Sequence, residues 1–177
     1  LMIEALGLAT SAEIPVVVVD VMRGGPSTGI PTKSEQTDLN IAIYGMHGDA
    51  PHLVLAPQSV GDCLFTTQWA TYLAEAMQAP AIVLSDQFMG QSRAAIERPA
   101  DVAFVGARAL ATEVSGNYKR DAMASNGVSP MAIPGTLGGQ YTADGLTHTE
   151  RGTPTSGAGD HLAQLDKRRD KLEGFNY

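Results

Sequence analysis

The sequence predicts an α/β fold built on an open, mostly parallel sheet with helices on both faces, followed by an irregular Gly/Pro-rich segment. Three observations carry this. The runs PVVVVDV, HLVLAP and APAIVLSD are short, continuous and aliphatic, as strands buried on both faces require. Segments long enough for helices separate them, which makes βαβ units. From residue 101 the periodicity fades, and Gly, Pro, Ser and Thr take over.

A first helix is expected over about residues 1–12, from the apolar positions Leu1, Met2, Ala5, Leu8, Ala9 and Ala12. It starts mid-pattern, with no initiator Met, signal peptide or cap, so the chain reads as a piece of a longer polypeptide. PVVVVDV follows as the first strand. Behind it lies RGGPSTGIPTKSEQTDL, Arg23 to Leu39, dense in glycine, proline and hydroxyl residues. Thr32 with Glu35 forms a capping-box pattern, which starts a second helix at Thr32 and runs it to about Met46. HLVLAP is the second strand. The stretch PQSVGDCLFTTQWATYLAEAMQ reads as a long amphipathic helix capped by Ser59, with Val60, Cys63, Leu64, Leu73 and Met77 on its buried side. APAIVLSD is the third strand.

The segment 126–156 is too long for an ordinary connection. Its composition alone would suit disorder. Met131, Ile133, Leu137, Tyr141 and Leu146 favour an ordered excursion over the sheet edge or a partner. GDHLAQLDKRRDKLEGF then closes the chain as a charged surface helix, capped by Asp160 and stopped at Gly174. The division expected is 1–100 for the sheet domain and 101–177 for an extension packing on it or on a partner.

With 177 residues, 44% of them apolar, the chain can bury a real core. Its net charge of −7 argues against nucleic acid or an anionic membrane as partner, and no apolar run reaches the roughly 18 residues of a membrane span. A single cysteine, Cys63, excludes an internal disulfide framework, suits a reducing cytoplasm, and cannot by itself hold zinc or an iron–sulfur cluster.

The glycine loop is where chemistry is expected. In open parallel sheets ligands sit beyond the carboxyl ends of the strands, and Arg23 lies at that rim. A guanidinium facing the hydroxyl and helix N-terminus at Thr32 makes a site for a small carboxylate or phosphate. A surface arginine in an ordinary turn is the plainer reading. GPSTG, Gly25 to Gly29, also matches a G-x-S-x-G nucleophile elbow, with Ser27 as nucleophile, Asp86 as acid and His148 or His161 as base. Pro31 stands where the helix of such an elbow should be donating hydrogen bonds, which weakens the serine-hydrolase reading. His47 and His52 read as loop or sheet-edge residues, Trp69 as helix packing, and Glu4 as either a functional carboxylate or a surface one.

Four segments together, RGGPSTGIPTKSEQTDL, YGMHGDAPHLVLAPQSV, IVLSDQF and GVSPMAIPGTLGGQYTADGLTHTERGTPT, resemble the α subunit of 2-oxoacid:ferredoxin oxidoreductases, most of all the 2-oxoglutarate enzymes. The resemblance runs over essentially the whole chain. It implies the later part of a pyrimidine-binding thiamine diphosphate domain, incomplete at the N-terminus. It implies oxidative decarboxylation of a 2-oxoacid with coenzyme A to acyl-CoA and carbon dioxide, with electrons passing to ferredoxin. By the family's motif, Arg23 and Thr32 grip the substrate carboxylate, with Ser27 and Thr28 beside them. Thiamine diphosphate with Mg²⁺ and a [4Fe-4S] cluster are implied too, held mainly by a β subunit and by residues preceding Leu1, so no catalytic residue is expected in this chain. A non-catalytic assembly domain of such a complex is the alternative.

Overall fold

The computed structural model describes residues 2–31, 33–99, 106–112 and 114–177. Helix α1 (Met2–Ser11) leads into β1 (Val16–Met22), then α2 (Leu39–Tyr44), β2 (Leu53–Leu55), α3 (Asp62–Met77), β3 (Pro80–Asp86), α4 (Gln87–Gln91) and α5 (Ala158–Glu173). The three strands form one sheet in the order β1-β3-β2, all parallel. Val16 pairs with Pro80 and Met22 with Asp86, so the carboxyl ends of β1 and β3 finish level.

The central strand explains the layers. Along β3, Ile82 and Leu84 face Leu6 of α1 and Ala42 of α2, while Ala81 and Val83 face Ala70 and Ala74 of α3. Side chains alternate along a strand, so an unbroken apolar run is what a sheet covered on both faces needs. The expected sheet and its two helical layers are present. On β1, by contrast, Val16, Val17, Val18 and Met22 pack on the core but Val19 and Val21 stay 51% and 47% exposed, which leaves an apolar part of the edge strand uncovered.

Several elements differ from expectation. The buried face of α3 runs through Thr66, Ala70, Leu73, Ala74 and Met77, whereas Leu64 is exposed and Val60 and Cys63 are half-buried. Small alanines at the contact let the helix approach the sheet closely. Ser59 does serve the N-terminus of α3, its hydroxyl accepting from the Asp62 N–H at 3.1 Å. Helix α2 does not begin at a capping box. Thr32 lies outside the described residues, residues 33–37 are not helical, and Asp38 is the N-cap. The cap of α5 is Gly157; Asp160 sits in its first turn and accepts from the Thr155 hydroxyl at 3.0 Å. Among its described residues, the long segment before α5 carries isolated bridges, Leu110 to Met131 and His148 to Pro154.

The largest departure is the packing of α5. Its buried residues are Gln164, Lys167, Arg168 and Lys171, so it is no surface helix. The reason lies in two left-handed turns at the amino ends of neighbouring strands, Glu13 (φ 52) before β1 and Gln78 (φ 47) before β3. Both residues are fully buried. The Glu13 carboxylate accepts from Lys167 Nζ at 2.5 Å and Lys171 Nζ at 2.7 Å. Lys171 also donates to the Gln78 carbonyl, and Arg120 donates to the carbonyls of Ala12, Glu13 and Ser129 and to Gln78 Oε1. Burial alone would raise the Glu13 pKa, but Lys171 and Lys167 hold it below the ordinary carboxylate value. Burial pushes Lys171 down from 10.5 to about 8, against the pull of Glu13.

Candidate functional site

Strand β1 runs one residue further than the apolar pattern suggests, so Arg23 follows its last residue directly and stands at the carboxyl rim of the sheet. Its side chain is exposed. Among the described residues the guanidinium has no hydrogen-bond or ion-pair partner, and is free to take an anion from solvent.

The backbone behind it is tied from several directions. The Gly24 N–H donates to the Lys33 carbonyl at 3.1 Å, and the Gly24 carbonyl accepts from the Ile30 N–H at 2.8 Å. The Arg23 carbonyl accepts from the Thr37 hydroxyl at 3.0 Å. Between them Pro26 to Gly29 make a tight turn closed by the Gly29 N–H on the Pro26 carbonyl, with Ser27 at φ 57 and Gly29 at φ 58. At Gly29 a Cβ would stand 1.2 Å from the Gly24 oxygen, so no other residue fits this fold of the loop. The Ser34 hydroxyl accepts from the Phe88 N–H at 2.8 Å, fixing the far limb to the segment after β3.

These bonds account for the missing helical start. Residues 33–37 spend a carbonyl and two hydroxyls on the loop and on β3's exit, and they are not helical. The anion site therefore draws no dipole from a helix beginning at Thr32, a residue outside the described set. What remains is one exposed guanidinium flanked along the chain by the exposed Ser27 and Thr28. Beneath it, burial and then the neighbouring Asp38 carboxylate raise the pKa of Asp20 on β1.

The elbow reading finds no support. No helix follows Ser27 directly, and Asp86 caps α4 by accepting from the Met89 N–H at 2.7 Å. His148 is buried against Asp144 at 2.9 Å, and His161 bonds the Thr147 hydroxyl. His52 faces the carbonyls of Ala50 and Ala42 and closes the turn before β2. Trp69 stacks between Phe65 and Tyr72 along α3. Glu4 is exposed and lines an open cavity of about 670 Å³ with His47, His161 and Arg168. Sequence reading passed over Thr37 and the Glu13 cluster. The run EQTDL offers Thr37 only as one more polar loop residue, and nothing near Glu13 in the chain announces its partners.

Among the described residues no helix is long and apolar enough to cross a membrane, and no three His, Cys, Asp or Glu side chains are grouped to hold a metal ion. A four-iron cluster takes four thiolates, and the chain's one cysteine does not fit it.

Comparison with known proteins follows the same lines. The family described as pyruvate flavodoxin/ferredoxin oxidoreductase, thiamine diphosphate-binding, matches residues 1–167. The 2-oxoglutarate synthase subunit KorA of Methanothermobacter marburgensis is 38% identical over 168 residues, 95% of this chain and 44% of that protein. The α subunit of 2-oxoacid:ferredoxin oxidoreductase 1 of Sulfurisphaera tokodaii is 35% identical over 98% of this chain and 28% of its own length. Among solved structures, the 2-oxoglutarate:ferredoxin oxidoreductase of Magnetococcus marinus, with 2-oxoglutarate, coenzyme A and succinyl-CoA bound, superposes with a TM-score of 0.90 at 43% identity, over 99% of this chain and 32% of that one. The chain spans less than half the length of each of these relatives.

Proposed function

Since the chain belongs to the thiamine diphosphate-binding family of pyruvate flavodoxin/ferredoxin oxidoreductases, we propose that it is part of the α subunit of a 2-oxoacid:ferredoxin oxidoreductase whose substrate is 2-oxoglutarate. The reaction converts the 2-oxoacid and coenzyme A to acyl-CoA, carbon dioxide, one proton and two electrons, the electrons leaving to ferredoxin. In this reading Arg23 binds the substrate carboxylate, with Thr32, Ser27 and Thr28 around it. The observation that carries it is the exposed guanidinium, free at its tip and tied at its root, on the carboxyl rim of a parallel sheet.

Charge-assisted, bidentate bonds from arginine fix a carboxylate in position and orientation, which is what bond cleavage between that carboxylate and the neighbouring carbonyl carbon demands. Thiamine diphosphate, when bound, supplies the electron sink for that cleavage. Its Mg²⁺ and the [4Fe-4S] cluster are assigned, by the family resemblance, to a β subunit and to other parts of the protein; the single cysteine here is too few for the cluster. Residues 1–100 serve as the later part of the pyrimidine-binding domain and 101–177 as an extension on it, in a cytoplasmic complex. The exposed apolar Val19, Val21 and Leu137 suit coverage by a partner.

The test is co-expression of the full α chain with its β subunit, followed by 2-oxoglutarate- and coenzyme A-dependent reduction of a viologen dye. Arg23→Ala should lower kcat/KM about a hundredfold, the worth of a charged anchor of about 3 kcal/mol. Unchanged kinetics would remove Arg23 from the site.

A further inference from the structure

The carbonyl of Arg23 and the N–H of Gly24 are the two polar ends of a single peptide group. The structure bonds both: the carbonyl to the Thr37 hydroxyl at 3.0 Å, the N–H to the Lys33 carbonyl at 3.1 Å. A peptide held at both ends cannot turn about its flanking bonds, so the direction in which the Arg23 side chain leaves the backbone is set. Yet nothing among the described residues holds the guanidinium itself. The arginine is fixed at its root and open at its tip.

From this we infer that Thr37 is a positioning residue for the Arg23 anion site, acting through the Arg23 carbonyl rather than on the ligand; the inference rests on the assignment of Arg23 to the substrate carboxylate. Thr37 Oγ1 also lies 3.1 Å from Asp38 Oδ1, so its one proton is shared between the two acceptors and the hydroxyl is oriented from both sides. Asp38 in turn opens α2, which packs on β3 through Ala42. The loop is thereby referenced to the core, not to solvent. The Lys33 bond comes from backbone and survives any side-chain change there. The Thr37 bond is the member of the pair that one substitution can remove.

The experiment uses the full α chain assembled with its β subunit. Thr37→Val keeps the shape and the one methyl group but puts a second methyl where the hydroxyl was; Thr37→Ser keeps the hydroxyl. The expected result is a KM for 2-oxoglutarate raised about five- to tenfold in Thr37→Val, the factor a single neutral hydrogen bond is worth. The KM for coenzyme A should be unchanged, and Thr37→Ser should restore the wild-type value. Thr37→Val with wild-type KM beside a defective Arg23→Ala overturns the positioning role alone. Arg23→Ala with wild-type KM overturns the carboxylate assignment and this inference with it. If Thr37→Val and Thr37→Ala both fail to assemble, or lose both KM values and thermal stability together, Thr37 is structural and the inference falls.

Discussion

Replacing Glu13 by Gln removes one negative charge from a cluster that holds Lys167, Lys171 and Arg120 out of water. Each Glu13 oxygen accepts from one ammonium, so two charge-assisted bonds weaken together. Gln retains one acceptor oxygen and turns an NH₂ group toward the second ammonium. Lys171 already sits at about 8 with Glu13 beside it; without the carboxylate its pKa falls further, and each unit of that fall costs roughly 1.4 kcal/mol while the ammonium stays charged. The two bonds contribute about 1.5–3 kcal/mol each, so a total near the 3–5 kcal/mol of a broken buried ion pair is expected. Helix α5 depends on this cluster, since its buried side chains are polar. Amide hydrogen exchange of residues 158–173 in the assembled protein should therefore accelerate by two to three orders of magnitude in Glu13→Gln. The triple change of Glu13, Lys167 and Lys171 to Met should recover most of the loss, because well-packed apolar side chains replace a buried ion triad at little cost. Wild-type exchange across α5 in Glu13→Gln would refute the assignment of its anchoring to these charges.

Two further outcomes follow from the same structure. The Lys171 pKa is lowered on folding, so between about pH 8 and its unfolded value near 10.5 the folded chain binds fewer protons than the unfolded one. This group's contribution to stability therefore rises with pH across that window. Denaturant midpoints at pH 7.5 and 9.5 should show a less favourable pH response in Lys171→Met than in wild type, and identical slopes would count against a buried ammonium. At Gly29, the Ala substitution places a Cβ 1.2 Å from the Gly24 oxygen, so the loop must refold and carry Arg23 out of place. Gly29→Ala should approach Arg23→Ala, roughly a hundredfold in kcat/KM, while α5 exchange stays at the wild-type rate; full activity would show that the loop's shape is immaterial.

The three strands, their parallel order of βαβ units and the two helical layers were legible in the sequence because each rests on short-range pattern. An aliphatic run such as APAIVLSD is apolar on both faces whatever it meets, and the turn chemistry of RGGPSTG is a property of neighbouring residues. The rim position of Arg23 follows from the same local logic. What the sequence could not settle depends on partners far along the chain. Thr32 and Glu35 satisfy the capping-box pattern, yet residues 33–37 are not helical and are tied instead to Gly24, Arg23 and Phe88. Local preference for a cap is worth about 1 kcal/mol, less than several tertiary bonds together. Helix α5 carries the composition of a solvated surface, and only folding brings Lys167 and Lys171 onto a glutamate 154 and 158 residues away. Charge pattern reports what a helix face can bear in water. Whether that face is in water is decided by the shape that the rest of the chain closes around it.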